Sequence, residues 1–316
     1  MPIYDGSAQT RLREKLDYEL WLLEFVSQSQ ERLAGGSNLS TITLTNRQPG
    51  ANQAITATEF AGAGEAMKIV DAITPLTFTA SYKILDMIFE WILEVNCIDG
   101  RIMQVPWKFS EKIATIRKGK TQLVLPPLFL SQQYVEKYLF ALYANLLKFR
   151  NEIVHNHRFS VTGGKLKIDA LEDGQSHTVE LDPEELGAFV RIVVASAKIL
   201  LGDLSLGLRE DSLFKWNLDT IEKLHLLARF AQRKPLLVDV VLKVDEQGGL
   251  FTADLKSVRE TLSRIYPDSD VQFNLKIVGL VKDQPPIGWL FPVNSVPRDD
   301  VLELRPDAYE EHRAAL

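Results

Sequence analysis

Six consecutive residues, Arg150-Asn151-Glu152-Ile153-Val154-His155, carry the side chains best suited to chemistry in this chain. Histidine can take up and return a proton near neutral pH. Arginine offers a permanent positive fork that matches a phosphate, or the extra charge of a phosphorane. Asparagine can hold an imidazole in one orientation, and Asn151 stands one helical step before His155. Together these groups are what attack of an RNA 2′-hydroxyl on its neighbouring phosphate requires. The same residue types also suit the end of any long helix, where cations meet the negative end of the dipole.

The elements around this segment must then position it. Val135, Tyr138, Leu139, Leu142, Leu146, Phe149 and Ile153 recur at helical spacing, predicting a helix over 131–155 with Ser131 as N-cap. At about 100° per residue, Arg150 and His155 fall roughly 140° apart on an ideal α-helix. A bent helix end or a second chain is needed to aim both at one target.

Further helices are expected at 8–33, 78–96, 108–117 and from Asp182-Pro183 to about 201. Residues 35–75 read as a long loop, with Asn46–Gly50 as a turn and a short extended piece at Thr41–Thr45. Thr121–Leu125 looks extended. Val161-Thr162-Gly163-Gly164-Lys165 reads as a tight turn within a hairpin at about 158–181. Beyond a boundary at 202–212 the pattern changes to helices at 217–231 and 254–266 and strands near 237–244, 271–281 and 289–293. The expected fold is therefore mainly α: a helical bundle over 1–205 with a small β-hairpin insert, followed by a small α+β domain over 212–316.

Composition sets the outer limits. A chain of 316 residues, 46% hydrophobic and 25% charged, has the make-up of an ordinary globular protein with room for two domains. Cys97 stands alone and cannot close an internal disulfide, which fits a reducing compartment. No basic start followed by an apolar run marks a signal peptide, and no apolar run approaches the ~18 residues of a membrane span, so a cytoplasmic protein with no membrane partner is expected. Net charge is −6, which argues against a generally polyanion-binding surface. Locally, Lys112, Arg117, Lys118 and Lys120 form a basic cluster that could guide nucleic acid, with Trp107 and Phe109 as stacking surface, or that is simply a solvated loop.

Other groups have plainer readings. Asp86, Glu90 and Glu94 form an i, i+4, i+8 carboxylate row whose ordinary explanation is a solvated helix face. His157 reads as a polar residue after the helix, and His177, His225 and His312, which lack companions at metal or triad spacing, read as surface or interface groups. Ala61-Gly62-Ala63-Gly64 lacks a preceding strand and the full glycine fingerprint of a phosphate loop. No motif calls for a cofactor or a metal.

Arg-Asn-x-x-x-His at the end of a helix in a helical bundle resembles the R-x4-6-H motif of the HEPN superfamily (higher eukaryotes and prokaryotes nucleotide-binding domain). The resemblance is closest over Tyr143–Phe159, with its apolar lead-in and His-Asn-His exit, and looser over the helices from 8 to 201. It does not cover 210–316, and the long loop at 35–75 and the hairpin depart from a compact bundle. It implies a bundle that often forms a homodimer around a shared cleft, with RNA or a nucleotide as ligand. It also implies metal-independent endoribonuclease activity, as in toxin–antitoxin or defence systems, with an antitoxin as a further protein partner. On that pattern His155 is general base or acid, Arg150 stabilises the phosphorane and Asn151 orients the site. Other members bind nucleotides or proteins without catalysis.

Overall fold

The structure is a computed structural model that describes residues 3–34, 40–45, 54–59, 63–119, 122–172, 174–281 and 284–314. The predicted turn at Asn46–Gly50, Gly62 and Lys120 lie outside the described residues. The chain divides into two compact units, residues 1–205 with 220–229, and residues 206–219 with 230–316.

The first unit contains α1 (Gly6–Ala34), a hairpin of β1 (Ser40–Thr45) and β2 (Ala54–Glu59), α2 (Ala63–Ile98) and α3 (Phe109–Gly119). The short α4 (Pro127–Ser131) leads into α5 (Gln133–Asn151), which runs into a single π turn over Glu152–Asn156. A three-stranded antiparallel sheet of β3 (Phe159–Thr162), β4 (Lys165–Glu172) and β5 (Gln175–Leu181) comes next, then α6 (Pro183–Leu200).

The organising element is α2, which packs against α1, α3, α5 and α6. From Phe78 to Val95 it buries Phe78, Tyr82, Leu85, Ile88, Phe89 and Ile92 among others, so apolar groups point in nearly every direction. A helix of that kind must be surrounded. Its one remaining stripe is the carboxylate row, and that row is not a solvated face. Lys112 of α3 donates to both Asp86 oxygens at 3.0 Å and to Glu90, while Lys15 of α1 reaches Glu90 and Glu94, each at 2.7 Å. The Tyr143 hydroxyl of α5 donates to Asp86 at 2.5 Å. Burial, reinforced by the Asp86 charge, pushes that phenol well above its ordinary value, so it remains a donor. Burial disfavours the Glu90 carboxylate, yet the hydrogen bonds from Lys112 and Lys15 outweigh it and hold its pKa below the usual range.

Local chemistry explains where the elements depart from expectation. Helix α2 starts near 63, inside the expected loop, and accommodates Pro75. Thr74, within the expected loop, donates to the Val70 carbonyl at 2.7 Å, as Thr77 does to Ile73 (3.2 Å) and Ser81 to Thr77 (2.8 Å) farther along the helix. Ser131 does not cap α5; it closes α4 by donating to the Leu128 carbonyl at 3.2 Å. Residues 122–125 form no strand, because Val124 pairs with a side chain, exchanging hydrogen bonds with the Asn96 amide at 2.8 and 3.0 Å. The hairpin turn is as expected: Gly163 and Gly164 have φ of +61° and +76°, and Asp71 of α2 anchors it by accepting from the Gly164 N–H at 2.6 Å. Asp182 and Glu185 form a reciprocal capping box at the start of α6.

After α7 (Leu208–Thr220), which belongs to the second unit, α8 (Glu222–His225) returns to the first. The helix expected over 217–231 therefore stops early. The Asp219 carboxylate accepts from the N–H groups of Phe230 (2.7 Å) and Gln232 (2.8 Å), which holds 230–232 in a loop, and Ala231 takes φ +53°. His225 is buried rather than a surface group; its Nδ1 accepts from the Leu227 N–H at 3.0 Å and its ring meets Tyr138 edge-on.

The second unit is built on a six-stranded sheet. In chain order it holds β6 (Lys234–Gln247), β7 (Leu250–Asp254), α9 (Leu255–Ile265), β8 (Ser269–Leu280), β9 (Ile287–Phe291), β10 (Val301–Leu304) and β11 (Arg313–Ala314). The spatial order is β10-β7-β6-β8-β9-β11, with β6 and β8 parallel and the other pairs antiparallel. Phe251, Leu275, Ile277, Trp289, Phe291 and Leu304 form its buried core. With this sheet and the three-stranded one, the protein is a mixed α and β structure, and the expectation of a mainly α fold is corrected. Strands β7, β10 and β11 are too short to announce themselves by alternation. No described helix is long and apolar enough to cross a membrane.

Two predictions follow from the ion network. Removing one partner of a buried pair strands the others, so Lys112→Ala should destabilise the protein by about 3–5 kcal/mol. Urea unfolding at neutral pH checks this, and a loss under about 1 kcal/mol would show that the pair does not hold α3. The depressed Glu90 carboxyl contributes stability that is full above the ordinary glutamate value of about 4.3 and is lost as pH falls through its lower folded value. Glu90→Gln should therefore be less stable than the parent at neutral pH, while the gap between them narrows as pH falls from roughly 5 to 3; a gap constant with pH would contradict the assignment.

Candidate active site

The site is made where α5 stops being an α-helix. Ile153 and Val154 are β-branched and sit poorly in a regular last turn. The turn widens to π geometry, with the His157 N–H bonded back to the Glu152 carbonyl and the Arg158 N–H reaching the same oxygen at 3.2 Å. Glu152 grips the turn with its side chain too. Its buried carboxylate accepts from Asn156 Nδ2 at 2.8 Å and faces Arg158 Nε at 3.9 Å. His157 ends the turn in the left-handed region, φ +52°, and is exposed.

This geometry solves the angular problem within one chain. Arg150 lies in the last turn of α5, and the wider winding of the π turn between it and His155 reduces their angular separation from that of an ideal α-helix. Arg150 Nη1 lies 3.1 Å from His155 Nε2, so no second chain is needed to bring the two side chains together. A guanidinium can only donate, so Nε2 of His155 carries the lone pair and the ring proton is assigned to Nδ1. His155 is exposed and Arg150 half-buried.

Asn151 has a different partner from the one expected. Its Oδ1 accepts from Arg150 Nη1 at 3.1 Å, so it steadies the arginine and reaches the imidazole only through it. The support beneath Arg150 comes from α3: the guanidinium lies over the Phe109 ring, 4.9 Å from its centre. Lys112 Nζ lies 5.4 Å from the same ring.

The basic cluster divides. Lys112 is 3% exposed and committed to Asp86 and Glu90, so it offers nothing to a surface ligand, contrary to its expected role. Lys120 lies outside the described residues. Arg117 and Lys118 are exposed in the last turn of α3. Arg117 joins Asn151, Asn156, Lys148 and Ser110 around an open groove of about 610 Å³ on one side of the π turn. On the other side, Arg150 and Val154 line a smaller cavity of about 280 Å³. Trp107 is 80% exposed just before α3. Sequence reasoning missed Glu152 as the clamp of the turn, although its i, i+4 spacing to Asn156 was visible, and it offered Phe109 as stacking surface without seeing that its ring lies under Arg150.

Ala61–Gly64 does have a strand before it, β2, and α2 begins at Ala63, but residues 60–62 lie outside the described set. Among the described residues no group of three or more His, Cys, Asp or Glu side chains is placed to share a metal ion. Comparison with known families, curated proteins and solved structures finds no match, so the reading of this site rests on its own geometry.

If the Glu152 side chain clamps the turn, Glu152→Ala should cost about 1–3 kcal/mol. It should also speed amide exchange across 152–158 in hydrogen–deuterium mass spectrometry. Unchanged protection there would mean that the backbone bonds alone hold the π turn.

Proposed function

We propose that the protein is a HEPN-like endoribonuclease that cleaves RNA by attack of a 2′-hydroxyl on the adjacent phosphate, with no requirement for a metal. The observation that carries this reading is the 3.1 Å contact between Arg150 Nη1 and the lone-pair nitrogen of His155, with the imidazole exposed at the surface. A phosphate competes for the guanidinium, because a charge-assisted pair is stronger than the bond to a neutral ring. As Arg150 turns to the phosphate, Nε2 is released to take the 2′-hydroxyl proton. The 2′-oxygen then bonds to phosphorus, Arg150 offsets the growing charge on the non-bridging oxygens, and the 5′-oxygen departs with its electron pair. That oxygen takes a proton from water or, in a homodimer, from a second His155. Asn151 keeps the guanidinium in register, Arg117 holds a neighbouring phosphate along the groove, and the exposed Lys118 adds positive charge at the end of α3. The products are a 2′,3′-cyclic phosphate and a 5′-hydroxyl.

A second reading draws on the same contact. Arg150 already holds two acceptors and rests on Phe109, a fixed arrangement that also suits a non-catalytic HEPN module binding a nucleotide or a protein partner.

Purified protein should cleave single-stranded RNA in EDTA and leave 2′,3′-cyclic ends. His155→Ala and Arg150→Ala should each reduce the rate by about 10²–10⁴-fold while the far-ultraviolet spectrum is unchanged. Nucleotide binding without cleavage would favour the second reading. Cleavage that persists in both variants would remove the nuclease assignment.

A further inference from the structure

The cavity of about 280 Å³ shares Arg150 with the proposed catalytic pair. Its walls are apolar and partly aromatic: Leu22 and Leu23 of α1, Tyr82 of α2, Phe109 of α3 and Val154 of the π turn. That volume lies at the lower end of ligand cavities, about 300 Å³, which suits one planar ring system. Aromatic walls beside a phosphate-binding arginine suit an unpaired nucleobase, since bases stack on such side chains.

The polar groups of the lining define which base. Thr77 and Thr79 spend their hydroxyls on the helix carbonyls of Ile73 and Pro75. Glu19 is different: a carboxylate 7% exposed, lining the cavity, with Oε1 accepting from Lys83 Nζ at 2.5 Å. The cavity therefore presents a buried acceptor beside a cationic donor. Guanine offers the complement on one edge, with two adjacent N–H donors at N1 and N2 for the carboxylate and O6 for the ammonium. Uracil has a single N–H between two carbonyls, which would face the carboxylate unfavourably. Adenine and cytosine each bring only one donor group.

We propose that this cavity is a guanine-recognising subsite of the RNA-cleaving centre, with Glu19 and Lys83 reading the base while Arg150 engages the adjoining phosphate. The proposal rests on the ribonuclease reading of Arg150 and His155. A correctly placed charged acceptor discriminates by roughly tenfold or more.

The probes are short single-stranded oligouridylates carrying one guanosine, one inosine or neither, bound to full-length His155→Ala protein and followed by fluorescence anisotropy. The guanosine oligomer should bind about tenfold tighter than the all-uridine one, with inosine, which lacks the 2-amino group, between them. Glu19→Gln should abolish the difference. Ala80→Phe, which places a large side chain in the cavity, should abolish it too, with folding of each variant checked by circular dichroism. With His155 intact, cleavage should fall beside the guanosine. Equal binding of all three oligomers, or a guanosine preference that survives both variants, overturns the subsite. If RNA is then still cut at unselected positions in a His155-dependent way, the ribonuclease reading stands without it. Glu19-dependent guanosine binding with no cleavage by the parent protein keeps the subsite and removes the nuclease. Neither binding nor cleavage removes both.

Discussion

One ammonium group sets the position of the parts that matter. Lys112 is removed from water, and a buried cation is tolerated only where carboxylates answer it. Asp86 and Glu90 do so, which fixes α3 against α2 at that register. Phe109 lies one turn before Lys112, so the same contact determines where its ring goes. That ring is the platform for the Arg150 guanidinium. The Tyr143 hydroxyl ties α5 to the same Asp86, so the helix that carries Arg150 and the helix that supports it meet at one carboxylate. The surroundings of the arginine thus follow from a charge that never reaches the surface.

The π turn is the second constraint, and it is local. An α-helix would have aimed Arg150 and His155 in different directions, whereas the wider turn after Arg150 narrows the angle between them and the side chains meet at 3.1 Å. The wider turn leaves the backbone less tightly bonded than an α turn, and here Glu152 compensates with its carbonyl and its carboxylate. Past His157 the chain leaves in a left-handed step and joins β3, so the sheet pulls the helix end to a stop. Grooves open on both sides of the turn, and Arg150 borders the apolar one while Asn151 borders the polar one.

Much of the local structure was legible because its cause is local. The Gly163-Gly164 turn, the Asp182 cap and the helical stripe from Val135 to Ile153 each follow from residues within a few positions of one another. The errors arose where distant partners decide. Residues 63–75, expected as loop, belong to α2, whose course is set by its packing against α1 and α6. The mainly α expectation failed because β7, β10 and β11 are only two to five residues long and gain their strand geometry from neighbours across the sheet. His225 was read as a surface or interface group because nothing in its sequence neighbourhood shows that Tyr138 covers it.

By itself the sequence determined the chemistry on offer: an arginine, an asparagine and a histidine at one helix end, and a cluster of cations nearby. It also determined that an ideal helix would separate Arg150 from His155. Tertiary structure decided the rest. It turned one cation of the cluster, Lys112, inward, left Arg117 and Lys118 outside, and closed the distance between Arg150 and His155 to 3.1 Å. The physical reason is that residue type fixes what a side chain can donate, accept or carry. Whether it faces water, a carboxylate or an aromatic ring depends on elements far along the chain, and on a single turn whose hydrogen-bond spacing no residue pattern alone imposes.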